Sequence, residues 1–160
     1  MDASREFDAE IATRVMGWGW MRARAPQMLP AHRWLVPPNE YGDWGHVYPA
    51  DMSEPPEDFW WLRLPSEYRG PHNLVPLYST DIAAAKLVLD TMSQPGFHVR
   101  IHCAGSGMYD VEWWIGDDCI AEVDDVATLE LAICRAALDG RAAMAEIAAE
   151  NAAEAPSDAL

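Results

Sequence analysis

The sequence predicts an α+β fold: a three-stranded antiparallel meander layered with helices as an α/β/α sandwich, with a long Pro/Trp-rich loop between the first and second helices. Three observations carry this. Apolar residues recur at helical spacing near the amino terminus, over 79–93 and from about 128 onward. Between Phe97 and Val123 the spacing changes to alternation in three short runs. Ten of the twelve prolines fall between Arg24 and Pro76, a density that no long regular element survives.

In the first helix Phe7, Ile11 and Val15 share one face, Asp2 or Ser4 caps the start, and Gly17 ends it. Trp18 and Trp20 follow in a short strand or packed turn, stapling that helix to the sheet. In the proline-rich segment, Trp34, Tyr41, Trp44, Tyr48, Phe59, Trp60, Trp61 and Tyr68 favour a loop folded back on the domain over a Gly/Ser-type linker. Short strands fit Arg33–Val36 and Phe59–Leu64. The second helix spans 79–93, with Ser79 or Thr80 as cap, Asp81 at the positive end of the macrodipole, and Ile82, Ala85, Leu89 and Met92 inward. Pro95-Gly96 stops it.

In FHVRIHC, Phe97, Val99, Ile101 and Cys103 alternate with His98, Arg100 and His102. In YDVEWWI, Tyr109, Val111, Trp113 and Ile115 alternate with Asp110, Glu112 and Trp114. A tight turn at Gly116-Asp117-Asp118 leads into CIAEV and closes the meander. The third helix begins near Thr128, with Leu129, Ile133 and Ala136 or Ala137 inward. One domain is therefore expected over 1–140, with 24–76 as a loop insertion. Residues 141–160 read as an Ala-rich acidic tail, helical and solvated.

The chain has 160 residues, half of them apolar and eight of them Trp, which excludes a disordered chain and leaves room for a real core. Its formal charge of −15 disfavours unspecific attraction to nucleic acid or anionic membranes. Three widely spaced cysteines point to a reducing compartment. A charged amino terminus and the lack of a long apolar run predict a cytoplasmic protein.

Taken together, VMGWGW, the Pro- and Trp-rich loop, PLYSTDIAAAKLVLDTM from Pro76 to Met92, the meander, and ATLELAICRAAL from Ala127 to Leu138 resemble the phage ABA-sandwich domain family. The resemblance covers residues 5–139 in outline, its most specific anchors being YSTDIAAA and AICRAAL. It implies a small phage- or prophage-encoded protein with a sheet layered between helices, and no activity; the cytoplasm expected above is then that of the bacterial host.

Chemistry-bearing constellations are sparse. His98 and His102 stand about 13 Å apart along one strand, too far to share a zinc ion, and His102 and Cys103 point to opposite faces. Asp117-Asp118 and Asp124-Asp125 lack the spacing of a calcium loop. No nucleophile elbow, phosphate loop or zinc-protease motif occurs, so no metal, cofactor or catalytic residue is expected. Arg100 and Glu112 read as a cross-strand ion pair.

Two binding constellations are expected instead. At the start of the second helix, Tyr78, Ser79 and Thr80, with Arg100 for charge, are candidates to hold a small nucleotide-like ligand; the alternative is that Ser79 or Thr80 simply caps and Tyr78 packs. On the surface, Trp44, Trp60, Trp61 and Trp114, with Glu112, Asp117 and Asp118, are candidates for an interaction site. Eight carboxylates and no Lys or Arg lie between Ile101 and Cys134, a distribution that suits a basic partner, imitates a phosphate ladder, or only keeps a Trp-rich chain in solution. The leading expectation is a non-enzymatic accessory protein that binds a host or phage protein, or a further copy of itself. The alternative is a protein that sequesters a nucleotide-like signal, and a third reading is an enzyme whose active site is dispersed along the chain.

Overall fold

A computed structural model describes residues 2–23, 33–38, 47–49 and 75–154. The chain divides into two compact units, one of Ser4–Leu77 and one of Tyr78–Leu160 together with Met1–Ala3.

In the first unit, α1 spans Arg5–Arg14. Ser4 is its cap, the hydroxyl accepting from the Phe7 N–H at 3.1 Å. Phe7, Ile11 and Val15 are buried as the i, i+4, i+8 spacing requires. Between them lies a buried carboxylate, Asp8, held by the Arg5 guanidinium at 3.0 Å. The same guanidinium donates to the carbonyls of Val75 and Pro76, tying α1 to the far end of the unit. The helix ends where Gly17 takes a positive φ of 72°, the Met16 and Trp18 N–H groups turning back onto Ile11 and Ala12.

β1 (Gly19–Ala23), β2 (Arg33–Val36) and β3 (Val47–Pro49) form an antiparallel sheet in the order β2-β1-β3. The sequence suggests the first two and not β3, which is three residues long and carries a proline. A strand at Phe59–Leu64 falls outside the described residues.

The second unit begins with a turn in which Tyr78 and Ser79 are buried, the Cys134 thiol donating to the Tyr78 carbonyl at 3.3 Å. α2 then spans Ile82–Met92. Its cap is Asp81 rather than Ser79 or Thr80: the carboxylate accepts from the N–H groups of Ala83 at 2.7 Å and Ala84 at 3.3 Å. A carboxylate both satisfies those orphan donors and meets the positive helix end, so it outcompetes a hydroxyl. The shift of register also corrects the inward stripe, which is Ala84, Ala85, Val88 and Met92, with Ile82 half exposed.

β4 (Phe97–Cys103), β5 (Tyr109–Ile115) and β6 (Asp118–Val126) form the expected meander in the order β4-β5-β6. The β5–β6 turn has two central residues, Gly116 and Asp117, with Gly116 at φ 58° in the position where a tight hairpin demands positive φ.

α3 runs unbroken from Leu129 to Glu154, 26 residues or about 39 Å. Residues 141–154 therefore continue this helix. It packs against α2 on one side and against β5 and β6 on the other, which is why Leu131–Cys134 and Ala136–Leu138 are buried nearly all round, well beyond a single stripe. At the closest approach Gly140 faces Met92, Trp113 and Ala121. Trp113 is fully buried on the helix side of the sheet, and removing that indole from water contributes about 4–6 kcal/mol of transfer free energy. No helix among the described residues is long and apolar enough to cross a membrane.

Candidate functional site

Alternation decides which face of the meander carries chemistry. Val111, Trp113 and Ala121 point toward α3, so Arg100, Glu112 and Trp114 stand on the opposite face, away from α2 and α3 among the described residues of this unit. The seven β4–β5 pairs run in strict register, setting His98 opposite Trp114, Arg100 opposite Glu112, and His102 opposite Asp110.

Trp114 is the centre of this face. The Arg100 guanidinium carbon lies 4.2 Å from its ring centroid, a cation–π contact. The His98 ring stacks on it with centroids 5.9 Å apart and planes 13° from parallel. The indole N–H donates to Glu112 Oε2 at 2.8 Å. That carboxylate gathers further charge: Arg100 Nη1 is 4.0 Å from Oε2 and His102 Nε2 is 3.9 Å from Oε1. Those two distances are too long for hydrogen bonds, and both side chains are more than half exposed, so the Arg100–Glu112 attraction is a screened one. The indole is thus fixed by one hydrogen bond and two ring contacts, while its surroundings remain wet.

The third strand adds acid. Glu122 stands opposite Glu112, and Cys119 opposite Trp114. Loss of hydration, and after it the charge of Glu122, pushes the Cys119 thiol above its ordinary range. Asp117 and Asp118 are exposed at the adjoining turn. Asp110, by contrast, has a structural task, accepting from the Asp125 N–H at 2.9 Å where β6 bulges and Asp125 adopts φ 56°.

Of the expected interaction residues, the structure therefore brings Trp114 and Glu112 into contact and sets Asp117 and Asp118 at the turn that follows β5. Trp44, Trp60 and Trp61 lie outside the described residues. The expected ligand residues are not gathered: Tyr78 and Ser79 are buried, Thr80 is exposed, Asp81 occupies the N–H groups of α2, and Arg100 sits on Trp114 on the sheet face away from α3. His98 and His102 belong to the Trp114 cluster, and the alternation of FHVRIHC already places them on its face. The positions of Cys119 and Glu122 depend on a bulge between Trp113 and Trp114 that no spacing rule shows. Among the described residues no group of three or more His, Cys, Asp and Glu is placed to hold a metal ion.

Compared with known proteins, residues 9–138 match the family model described as the phage ABA sandwich domain, more than three quarters of the chain. No curated protein and no solved structure matches it.

Proposed function

We propose that this chain, which belongs to the phage ABA sandwich domain family, is a non-enzymatic phage or prophage accessory protein that acts by binding a host or phage protein. The observation that supports this is the fixed, half-buried Trp114 on a sheet face away from the helices of its own unit, with Glu112 on its N–H, Glu122 opposite Glu112, and Asp117 and Asp118 exposed at the turn after β5. A rigid indole offers a large contact area at little further entropic cost, and such anchors dominate protein interfaces. The surrounding carboxylates favour a partner with a basic surface and speed its approach.

The test is retention of proteins from a host lysate by the immobilised chain, compared with Trp114→Ala and with Asp117→Lys/Asp118→Lys. A partner held by the native chain, lost from both variants and released as salt rises, supports the reading. Retention of the same proteins by both variants overturns it.

A further inference from the structure

The two edges of the meander are built differently. β6 is irregular, its pairing with β5 shifted between Tyr109 and Val111 and again between Trp113 and Trp114, and Asp125 is held at positive φ within it. Such bulges are how proteins spoil an edge for further pairing. β4 has none of these devices. Its seven residues pair with β5 without a slip and contain no proline or lysine.

The ladder fixes which groups β4 presents outward. The Ala104 N–H donates to Met108 and the Gly116 N–H to Gly96, so every second pair between them is hydrogen-bonded: His98–Trp114, Arg100–Glu112 and His102–Asp110. Val99, Ile101 and Cys103 must then direct their N–H and C=O groups away from β5. Phe97 faces the same way and donates to Gln94. For Val99, Ile101 and Cys103 no partner exists among the described residues.

We infer that the outer edge of β4 accepts an added strand, an extended segment of another protein whose side chains alternate between acidic and apolar. Its acidic row answers the Arg100 guanidinium and the imidazoles on either side of it. On the face carrying Trp114, β4 presents His98, Arg100 and His102, and β5 already answers that row with Asp110, Glu112 and Trp114. On the other face β4 presents Val99 and the exposed Ile101, which calls for apolar neighbours.

A second copy of β4 is the wrong occupant. Only outward-pointing residues can share a hydrogen-bonded pair, so Val99, Ile101 and Cys103 would meet their own counterparts. The His98, Arg100 and His102 rows would then oppose each other, with no carboxylate from the second copy to answer Arg100. This inference concerns the edge of the sheet and stands apart from binding on the Trp114 face.

The probe is a capped synthetic peptide of alternating Glu and Val, added to the full chain with backbone amide resonances as the readout. Expected are shifts and slowed exchange at Val99, Ile101 and Cys103, and affinity about tenfold weaker for Arg100→Glu, which reverses the charge of the row. Ile101→Pro deletes an outward donor without touching the ladder to β5 and should weaken binding similarly. Two peptides N-methylated on alternate residues test the same point on the native chain, whether or not the proline variant folds. One should lose about tenfold and the other nothing, because only one peptide edge faces β4. Equal binding by both methylated peptides, by a Lys/Val peptide, or by a peptide of the same composition with its Glu residues grouped overturns the inference. So do shifts confined to Trp114 and the Asp117–Glu122 segment, which would mark binding on the face instead.

Discussion

The Arg100 guanidinium rests 4.2 Å from the centre of the Trp114 ring, two diagonal neighbours across β4 and β5. The contact is exposed on the arginine side, so it is worth about 0.5–1 kcal/mol. A double-mutant cycle with Arg100→Ala and Trp114→Ala, followed by urea denaturation, should return a coupling of that size. Additivity within experimental error would show that the two side chains merely lie side by side.

Asp8 is buried in α1 and paired with Arg5, whose guanidinium also holds two carbonyls from Val75 and Pro76. Replacing Asp8 by Ala removes the carboxylate beside that guanidinium and should cost about 3 kcal/mol, the lower end for a broken buried pair because the carbonyls remain. Urea unfolding of Asp8→Ala measures it, and a loss below about 1 kcal/mol would mean that solvent already screens the pair.

The cap of α2 is assigned to one carboxylate. Asp81→Ala should cost about 1 kcal/mol, whereas Thr80→Ala, at an exposed position, should change stability by less than about 0.5 kcal/mol. The reverse ranking of these two variants in thermal unfolding would return the cap to the hydroxyl.

Gly140 sits inside α3 with an ordinary helical backbone, and a methyl group there would come within 3.3 Å of the Met92 Cε atom. That atom ends a flexible side chain, while Trp113 and Ala121 stand at 3.8 and 3.9 Å, ordinary contact distances. The helix preference for Ala over Gly, about 0.8–1 kcal/mol, should therefore outweigh the adjustment, and Gly140→Ala should raise the melting temperature. Gly140→Val overfills the same space and should lower stability by about 1–3 kcal/mol.

The Cys119 thiol is raised by loss of hydration and then by Glu122. Only the thiolate alkylates, so at mildly alkaline pH Cys119 should react with iodoacetamide more slowly in the folded chain than in the chain unfolded in urea. Glu122→Gln should recover part of that rate, and mass spectrometry of the labelled peptide reads both. No change in the Gln variant would remove Glu122 as a cause and leave loss of hydration, with the weaker effect of Glu112.

The meander is the most legible part of the fold, because FHVRIHC and YDVEWWI alternate without interruption, although only the second buries one face, at Val111 and Trp113. α1 was equally plain from Phe7, Ile11 and Val15. α2 was displaced by three residues because Ser79, Thr80 and Asp81 are all competent caps, and burial of Tyr78 and Ser79 in the preceding turn selects Asp81. The inward side of α3 was underestimated, since a single-stripe reading does not foresee a helix gripped between α2 and a sheet. β3 carries no alternation long enough to detect. Among site residues, the shared face of Arg100, Glu112 and Trp114 follows from parity alone. The indole's tie to Glu112 depends on a side-chain rotamer, and the place of Glu122 on a bulge, neither of which a sequence states.

The bulges of β6 bear on how many molecules assemble. A sheet with two regular edges passes its unpaired groups on with every strand gained, and so grows into fibres. Here a strand received at β4 has no equivalent exit on the far side, where Asp125 and the slipped pairs break the pattern. The chain itself therefore cannot be threaded edge to edge into a continuous sheet. An irregularity of the backbone on one side leaves it a terminus for pairing, with a regular edge on the other side alone.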